Sequence, residues 1–406
     1  MFFSGPWVIL FLALRGLRQY AFSTIVASLA IALAGGLFVG TWKIKEEAKN
    51  AFSRSAGGYD AVLGARGSKL QLVLNALFHL EASPGNLSWE QYELIRGTRG
   101  VSEAYPLAVG DNYHGFRLVG TLSEMFEKHE WRKGRKYMAQ PGGRFFTDNA
   151  KEALVGGFVA RKLGLKVGDT FHPYHGLIFK EEAKHKDIYV VVGILEATGT
   201  PADKVIWIPI KGIQLMDGHD PKTASDVSAV LLNLKGSAGF MLDMKYNKQG
   251  NVATLAWPVA GTLASFFERL VWFQRVLEVI AYLVAFVAVC VILAILRNAM
   301  NERRREIAIL RSLGARRSTV TAGGLVQAVL ITLFGILGAF ISYLGIGLFA
   351  ASVVREQTGV LLEPFTYDPS FLYVPIGMLA VGLLSGFLPA LQAYRSDVAK
   401  NLVQQS

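Results

Sequence analysis

The sequence predicts a membrane α-helical protein with four transmembrane helices and a large extracytoplasmic α/β domain inserted between the first and the second helix. Apolar runs of membrane-spanning length recur along the chain, lysines and arginines are concentrated beside their ends, and residues 43–270 carry charges throughout. The chain has 406 residues, of which 52% are apolar, and a net charge of +11. This composition is too hydrophobic for an ordinary soluble enzyme. The basic residues are placed for a membrane rather than for nucleic acid.

Four stretches are long and apolar enough to cross a bilayer, which takes about 20 residues in a helix. No charged residue lies between Arg18 and Lys43, or from Ser318 to Val354. In the second stretch, the one charged residue between Arg275 and Arg297 is Glu278, near one end. The predicted spans are residues 21–42, 271–297, 318–354 and 369–394.

The basic residues orient the predicted spans. Arg15 and Arg18 precede the first span, and an arginine cluster joins the second to the third. Arg395 and Lys400 lie in the tail that follows the fourth, residues 395–406. Four spans place all of these on one side, which the positive-inside rule identifies as the cytoplasm. Within residues 1–20 the positive charges follow the apolar run, so an interfacial helix is predicted rather than a signal peptide.

Residues 43–270 contain all seven histidines of the chain and predict an independently folded α/β domain. Strand–helix–strand order occurs near its start and again near its end. The middle, about residues 115–225, is predicted as an inserted, mostly β subdomain. An apolar helix after Ser68 fits either a buried core helix or an exposed contact surface. The strand-like runs are residues 59–65, 101–110, 116–122, 187–196, 205–210 and 228–235.

The sequence offers few candidates for metal or catalytic chemistry. The stretch "HPYH" places His172 and His175 close together, and His185 and Asp187 follow. Imidazole and carboxylate groups are zinc ligands, but no spacing fixes a third ligand, so an ordinary surface histidine pair is favoured. His219 lies near a predicted turn. We therefore expect no metal site, no cofactor and no catalytic residue.

The densest cluster of positive charge is "NERRREIAILRSLGARRSTV", residues 301–320, which contains six arginines between two apolar runs. As a helix, it places Ile307, Leu310 and Leu313 on one face, and Gly314 permits a left-handed end. One interpretation is a loop that only fixes topology and touches lipid headgroups. The apolar stripe favours another, an amphipathic helix that docks into a groove of a second protein.

Five segments of the chain carry a family resemblance. "ERRREIAILRSLGA" and the terminal "GFLPALQAYRSDVAKNLV" resemble MacB/FtsX-type ABC transporter permeases. So do the N-terminal "LALRGLRQYAFSTIVASLAIALAGGLFVG" and, in the large domain, "EALVGGFVARKLGLKVGDTFHPY" and "YVVVGILEATGTPADKVIWIPI". They follow the family's order through essentially the whole chain. The resemblance implies a type VII, mechanotransmission-type permease of the bacterial inner membrane, with a MacB-like core domain in the periplasm.

The resemblance also implies partners and site residues. Residues 301–317 match the family's cytoplasmic coupling helix, which is seated in a cleft of a separate ATPase, and Pro389 to Leu402 match a second cytoplasmic contact. Two permeases and two ATPases would assemble; a homodimer is the simpler arrangement, and a heterodimer stays open. A periplasmic adaptor or a lipoprotein, and membrane lipid, are further expected partners, whereas nucleic acid is not. The implied ATPase-coupling residues are Arg303, Arg304, Arg305, Glu306, Ile307, Leu310, Leu313 and Gly314.

Three functions are compatible with the sequence. The first is a permease subunit that couples ATP hydrolysis by a separate ATPase to motions of its periplasmic domain, for export or extraction of a lipoprotein, a peptide or a small hydrophobic substrate. The second is an FtsX-like transmembrane regulator of a periplasmic cell-wall hydrolase. The third, a membrane-anchored binding protein without an ATPase, is disfavoured by the apolar stripe. The sequence contains no G-x-x-x-x-G-K-[ST] phosphate loop, so ATPase activity is expected in a partner subunit and not in this chain.

Overall fold

The structure is a computed structural model that describes residues 6–219, 224–302 and 317–395. The described residues divide into two compact units. The membrane unit holds those before residue 47, from 271 to 350 and from 364 onward. The external unit holds those from 47 to 270 and from 351 to 363.

Helices and strands are numbered in chain order. The helices are α1 (Pro6–Gln19), α2 (Ala21–Arg54), α3 (Lys69–Ala76), α4 (Trp89–Arg96), α5 (Glu124–Lys128), α6 (Gly157–Leu163), α7 (Ile210–Gln214), α8 (Ala238–Asp243), α9 (Val259–Arg269), α10 (Val271–Glu302), α11 (Arg317–Thr358) and α12 (Ser370–Arg395). The strands are β1 (Ala61–Ala65), β2 (Leu87–Ser88), β3 (Val101–Tyr113), β4 (Phe116–Thr121), β5 (Glu130–Arg132), β6 (Arg135–Lys136), β7 (Glu152–Val155), β8 (Thr170–Phe171), β9 (Tyr174–His175), β10 (Tyr189–Ile194), β11 (Ile206–Pro209), β12 (Asp226–Val227), β13 (Ala229–Leu234) and β14 (Ala253–Ala256).

The membrane unit has the predicted number of spans. Among the described residues, four helices are long and apolar enough to cross a membrane: α2, α10, α11 and α12. The prediction of four transmembrane helices is thereby confirmed. Helix α1 falls within the range predicted for the interfacial helix. The candidate spans are Ala21–Arg54, Val271–Ile295, Thr321–Thr358 and Ser370–Phe387.

Small residues let the membrane helices approach closely, which matters because no hydrophobic effect drives helix association in lipid. A Cβ atom on Gly335 of α11 would lie 2.4 Å from Ile31 of α2, well inside van der Waals contact. Beside this contact, the Ser28 hydroxyl donates to the Ile331 carbonyl at 3.3 Å. The crossing of α2 and α11 therefore requires glycine at this position.

The external unit is built on one mixed sheet, with the strand order β14–β1–β13–β3–β4–β11–β7–β10–β8 and β9 also paired to β3. Alternate residues enter two separate hydrophobic clusters: on β13, Leu231 joins one, and Val230 and Leu232 join the other. Since successive side chains point to opposite faces of a sheet, both faces are covered. All six predicted strands are present. Helix α3 is a buried core helix, with Leu72 and Val73 inaccessible to solvent.

Strand β3 joins the predicted inserted subdomain, about residues 115–225, to the rest of the large domain. It is 13 residues long; its first part pairs with β13 and its second with β4, both antiparallel. The described part of residues 115–225 therefore shares one sheet and one compact unit with the rest. The inserted subdomain at about residues 115–225 stays a prediction; the structure adds that one long strand serves both halves, and such long-range pairing leaves no local mark in the sequence.

The external unit also includes the connection between the third and fourth spans, which the predicted boundaries leave out. Val360 in this connection is fully buried in the core of the unit. The Glu363 amide donates to the Glu47 carboxylate at 3.1 Å. The connection is therefore part of the packing of the domain rather than a free loop.

Gly335→Ala should destabilise the membrane unit by about 1–3 kcal/mol, the usual cost of overpacking, because its Cβ would meet Ile31 at 2.4 Å. Gly345→Ala in the same helix is the matched control, since no atom lies within 4 Å of a Cβ at that position. Denaturant unfolding in detergent micelles, followed by circular dichroism, measures both variants. Equal stability of the two would contradict the close approach of α2 and α11.

Val360→Asp should destabilise the external unit by well over the roughly 1 kcal/mol of an average substitution, because it places a charge in the core. Leu361→Asp is the control, since the neighbouring side chain is 42% exposed and tolerates a charge. Limited proteolysis of the full-length chain over a temperature series measures the difference. If both variants resist proteolysis equally, the connection does not dock as described.

Candidate functional site

The predicted ATPase-coupling residues lie outside the described residues, as does the tail from residue 396 onward. The structure describes the two membrane helices on either side of the coupling segment: α10 runs to Glu302, and α11 begins at Arg317. The roles of the segment stay predictions for Arg303, Arg304, Arg305, Glu306, Ile307, Leu310, Leu313 and Gly314.

Polar side chains connect three helices at one end of the membrane unit. The amide of Gln274 donates to Glu278 at 2.5 Å, and the ammonium of Lys45 donates to Gln274. Lys43 lies 3.7 Å from Asp368, just before α12. Glu278, an acidic residue of the second span, thus belongs to a network that ties α10 to α2.

A second polar group lies in the external unit and brings together Asp111, His175, His185 and His219, here called the histidine–aspartate cluster. One ligand-type atom from each residue lies within 4.8 Å of the others. Asp111 of β3 lies directly opposite His175 of β9 in an antiparallel pair. His185 and His219 come from the connections that follow β9 and α7.

A β-bulge positions Asp111. The register of β3 against β4 shifts between Val109 and Asp111. Bulges re-aim side chains away from regular alternation and are over-represented beside functional sites. Here the aspartate side chain is completely buried, although carboxylates are almost never buried without a partner of opposite charge.

The cluster is compact around one carboxylate oxygen. The Oδ1 atom of Asp111 lies 3.4 Å from Nδ1 of His175, 3.3 Å from Nε2 of His185 and 3.2 Å from Nε2 of His219. Nδ1 of His175 and Nε2 of His219 are 3.2 Å apart. The three ring planes are inclined to one another by 65 to 80°. The rings therefore converge on a common point and do not stack.

Backbone carbonyls fix the orientation of two of the rings. Nδ1 of His185 is 2.7 Å from the Asp217 carbonyl oxygen, and Nδ1 of His219 is 2.7 Å from that of Ile213. A carbonyl only accepts hydrogen bonds, so both Nδ1 atoms carry the hydrogen. In a neutral ring Nε2 is then an acceptor, and it faces the Asp111 carboxylate, which also only accepts. Positive charge between them, from protons or from a metal ion, is needed to make this arrangement favourable.

Protons can supply part of that charge. The hydrogen bond to Asp111 raises the pKa of His185 and of His219, while burial opposes both shifts. Burial by itself raises the pKa of Asp111, but the hydrogen bonds from these two histidines outweigh it and lower the pKa overall. The second carboxylate oxygen, Oδ2 of Asp111, is buried and has no hydrogen-bond partner among the described residues.

The histidine–aspartate cluster differs from the group of residues that lie close together in the sequence. His172 lies outside the cluster, where its Nδ1 donates to the His185 carbonyl at 3.1 Å. Asp187 pairs with Lys151 instead. Sequence reasoning misses Asp111, because only the pairing of β3 with β9 brings it to His175. The carboxylate that faces the three histidines thus comes from a strand distant in the sequence.

The chain resembles known proteins in sequence. The family model "FtsX-like permease C-terminal" matches residues 278–398. The macrolide export ATP-binding/permease protein MacB of Bordetella avium (strain 197N) is 27% identical over 322 residues, 78% of this chain and 42% of that protein. The uncharacterized ABC transporter permease YvrN of Bacillus subtilis (strain 168) is 27% identical over 237 residues, 52% of this chain and 55% of that protein. The chain thus spans about half the length of these relatives, or less.

Two solved structures also match. The periplasmic region of MacB from Actinobacillus actinomycetemcomitans matches with a TM-score of 0.35 and 9% identity, covering 52% of this chain and 94% of that one. The extracellular domain of the noncanonic ABC-type transporter YknZ from Gram-positive bacteria matches with a TM-score of 0.30 and 18% identity, covering 48% of this chain and 97% of that one.

The family match extends over the third and fourth spans, and the MacB alignment covers 78% of the chain. Four membrane-spanning helices are present, with a large α/β domain between the first and the second. The chain therefore carries an FtsX-like permease C-terminal region at residues 278–398 and is similar to MacB-type ABC transporter permeases over most of its length. It is a multi-pass inner-membrane protein with its large domain in the periplasm.

Proposed function

We propose that this permease couples ATP hydrolysis by a separate ATPase subunit to movements of its periplasmic domain, and thereby exports or extracts a lipoprotein, a peptide or a small hydrophobic substrate. The observation that carries the proposal is the FtsX-like permease match over residues 278–398. That range includes the arginine-rich segment together with α11 and α12. A docking helix between two membrane helices is well placed to receive a displacement from a cytoplasmic partner.

The ATPase is assigned to a partner because the sequence contains no phosphate loop. The relative from Bordetella avium is named as both an ATP-binding and a permease protein, and this chain matches 42% of its length. Following the family's pattern, two ATPase copies serve two copies of this permease, with a periplasmic adaptor or a lipoprotein as a further partner.

The arginine-rich segment offers two kinds of contact to the ATPase. Ile307, Leu310 and Leu313 form the apolar face that would fill a groove. The arginines on the other faces, Arg303 to Arg305, can bind carboxylates of the partner or phosphates of lipid headgroups through bidentate hydrogen bonds. Gly314 would end the helix and let the chain turn into α11.

Two long helices give the route by which displacement reaches the domain. Helices α2 and α11 each contribute residues to both units. Because an α-helix is hydrogen-bonded at every turn, it carries displacement along its axis. Within the external unit, Glu47 in the last part of α2 accepts from Arg54 at 2.7 Å and from the Glu363 amide at 3.1 Å. Val360, just beyond α11, lies in the core, so movement of these helices acts on the packed core rather than on surface loops.

Leu310→Asp combined with Leu313→Asp should abolish co-purification of the ATPase, because two charges would enter an apolar groove. Ser312→Asp is the matched control, since it adds a charge to the same segment on the opposite face of the predicted helix. Detergent co-purification of the tagged full-length chain from its host cells, with the bound proteins identified, measures the loss. Protease accessibility of the periplasmic domain confirms that each variant is inserted.

An ATPase that stays bound to the double variant would overturn the assignment of the coupling helix. A wild-type chain that brings down an ATPase together with a cell-wall hydrolase would replace the export function by the FtsX-like regulatory one. A wild-type chain that brings down no ATPase would leave the arginine-rich segment as a determinant of topology alone.

A further inference from the structure

We propose that Asp111, His175, His185 and His219 form a binding site for a divalent transition-metal ion in the periplasmic domain, with Zn²⁺ as the ion it takes. The ligand atoms are Oδ1 of the aspartate, Nδ1 of His175, and Nε2 of the other two histidines. The site stands apart from the proposed transport function, because none of its residues belongs to the membrane unit or to the coupling segment.

The distances fit tetrahedral coordination. Zinc binds imidazole nitrogen and carboxylate oxygen at about 2.0–2.1 Å, which places neighbouring ligands of a tetrahedron about 3.3–3.4 Å apart. The three distances from the aspartate oxygen are 3.2 to 3.4 Å, and the one from His175 to His219 is 3.2 Å. All four atoms lie within 4.8 Å of one another. One ion therefore contacts all four ligands after small side-chain adjustments.

The surroundings prepare the ligands for a metal. Metal-binding histidines almost always donate their other ring N–H to a carbonyl or a carboxylate. His185 and His219 do this, each to a backbone carbonyl at 2.7 Å. Their Nε2 lone pairs then point at the centre of the cluster.

The aspartate provides an independent indication. Its side chain is completely buried, and Oδ2 has no hydrogen-bond partner among the described residues. A buried polar atom without a partner costs free energy, and a buried carboxylate costs more. A divalent cation bound through Oδ1 offsets the buried negative charge of this carboxylate, whereas neutral imidazoles do not.

The donor atoms and the access route limit which metal ion can bind. Three imidazoles and one carboxylate suit zinc and its neighbours in the transition series, whereas calcium and magnesium prefer oxygen ligands throughout. The side chain of His175 is 61% exposed, and that of His185 is 6% exposed. The ion therefore enters from solvent beside His175, on a face of the domain that a periplasmic metal pool can reach.

The test is a metal titration of the full-length permease, purified in detergent with a histidine-free affinity tag and stripped with a chelator. Competition against a chromophoric zinc chelator should show one equivalent of tightly bound Zn²⁺. Substitution with Co²⁺ should give the intense visible absorption of tetrahedral coordination. Either result is independent of transport activity.

Two variants each remove one ligand, and a third variant serves as the control. His219→Gln and His175→Gln should each weaken zinc binding by at least about 100-fold, since loss of even an outer-shell partner costs about 10–100-fold. His175→Gln is the safer variant for folding, because that side chain is mostly exposed. His114→Asn is the control: His114 is exposed, lies outside the cluster, and has a φ of 46° that asparagine accommodates.

The outcomes decide the proposal. Binding of one equivalent that is lost in both ligand variants and kept in the control supports the site. Equal binding by the wild type, the ligand variants and the control would place the ion elsewhere and overturn the assignment. A wild-type chain that binds no zinc would show that the cluster is a histidine–aspartate hydrogen-bond network held by protons.

Discussion

The periplasmic domain depends on the pairing of β3 with different neighbours along its length. The first part of the strand aligns with β13 and the second with β4, while β9 pairs near its end. Because side chains alternate with a period of two, a slip of one residue would exchange the contents of the two hydrophobic clusters. It would also separate Asp111 from His175. The same register thus fixes the core on both faces of the sheet and the geometry of the histidine–aspartate cluster.

The membrane unit obeys a different constraint. In lipid the helices gain little from burying apolar side chains, so close backbone contact and polar ties must hold them together. Gly335 against Ile31, with the Ser28 hydrogen bond beside it, supplies the first of these. The polar network around Gln274, near the start of the second span, supplies the polar ties.

Local patterns in the sequence predict much of the fold. The spans follow from apolar length and the six strands from short β-rich runs. What the sequence does not predict depends on residues far apart in the chain. The single sheet, the burial of Val360 and the position of Asp111 beside three histidines all arise from long-range pairing. The coupling residues lie outside the described residues and stay a prediction that rests on pattern and family resemblance.

Thermodynamic linkage decides whether a metal ion bound at the histidine–aspartate cluster would affect the domain movement proposed for transport. A ligand shifts a conformational equilibrium only by the difference between its affinities for the two states. The four cluster residues belong to strands and connections gathered around the end of β3. A movement of the domain as a rigid body leaves their separations unchanged, and bound metal then has no effect on transport. A movement that separates β9 from β3 breaks the site, and bound metal then opposes that movement by its full binding free energy. The effect of metal binding on transport therefore distinguishes a rigid-body movement of the domain from a movement that separates β9 from β3.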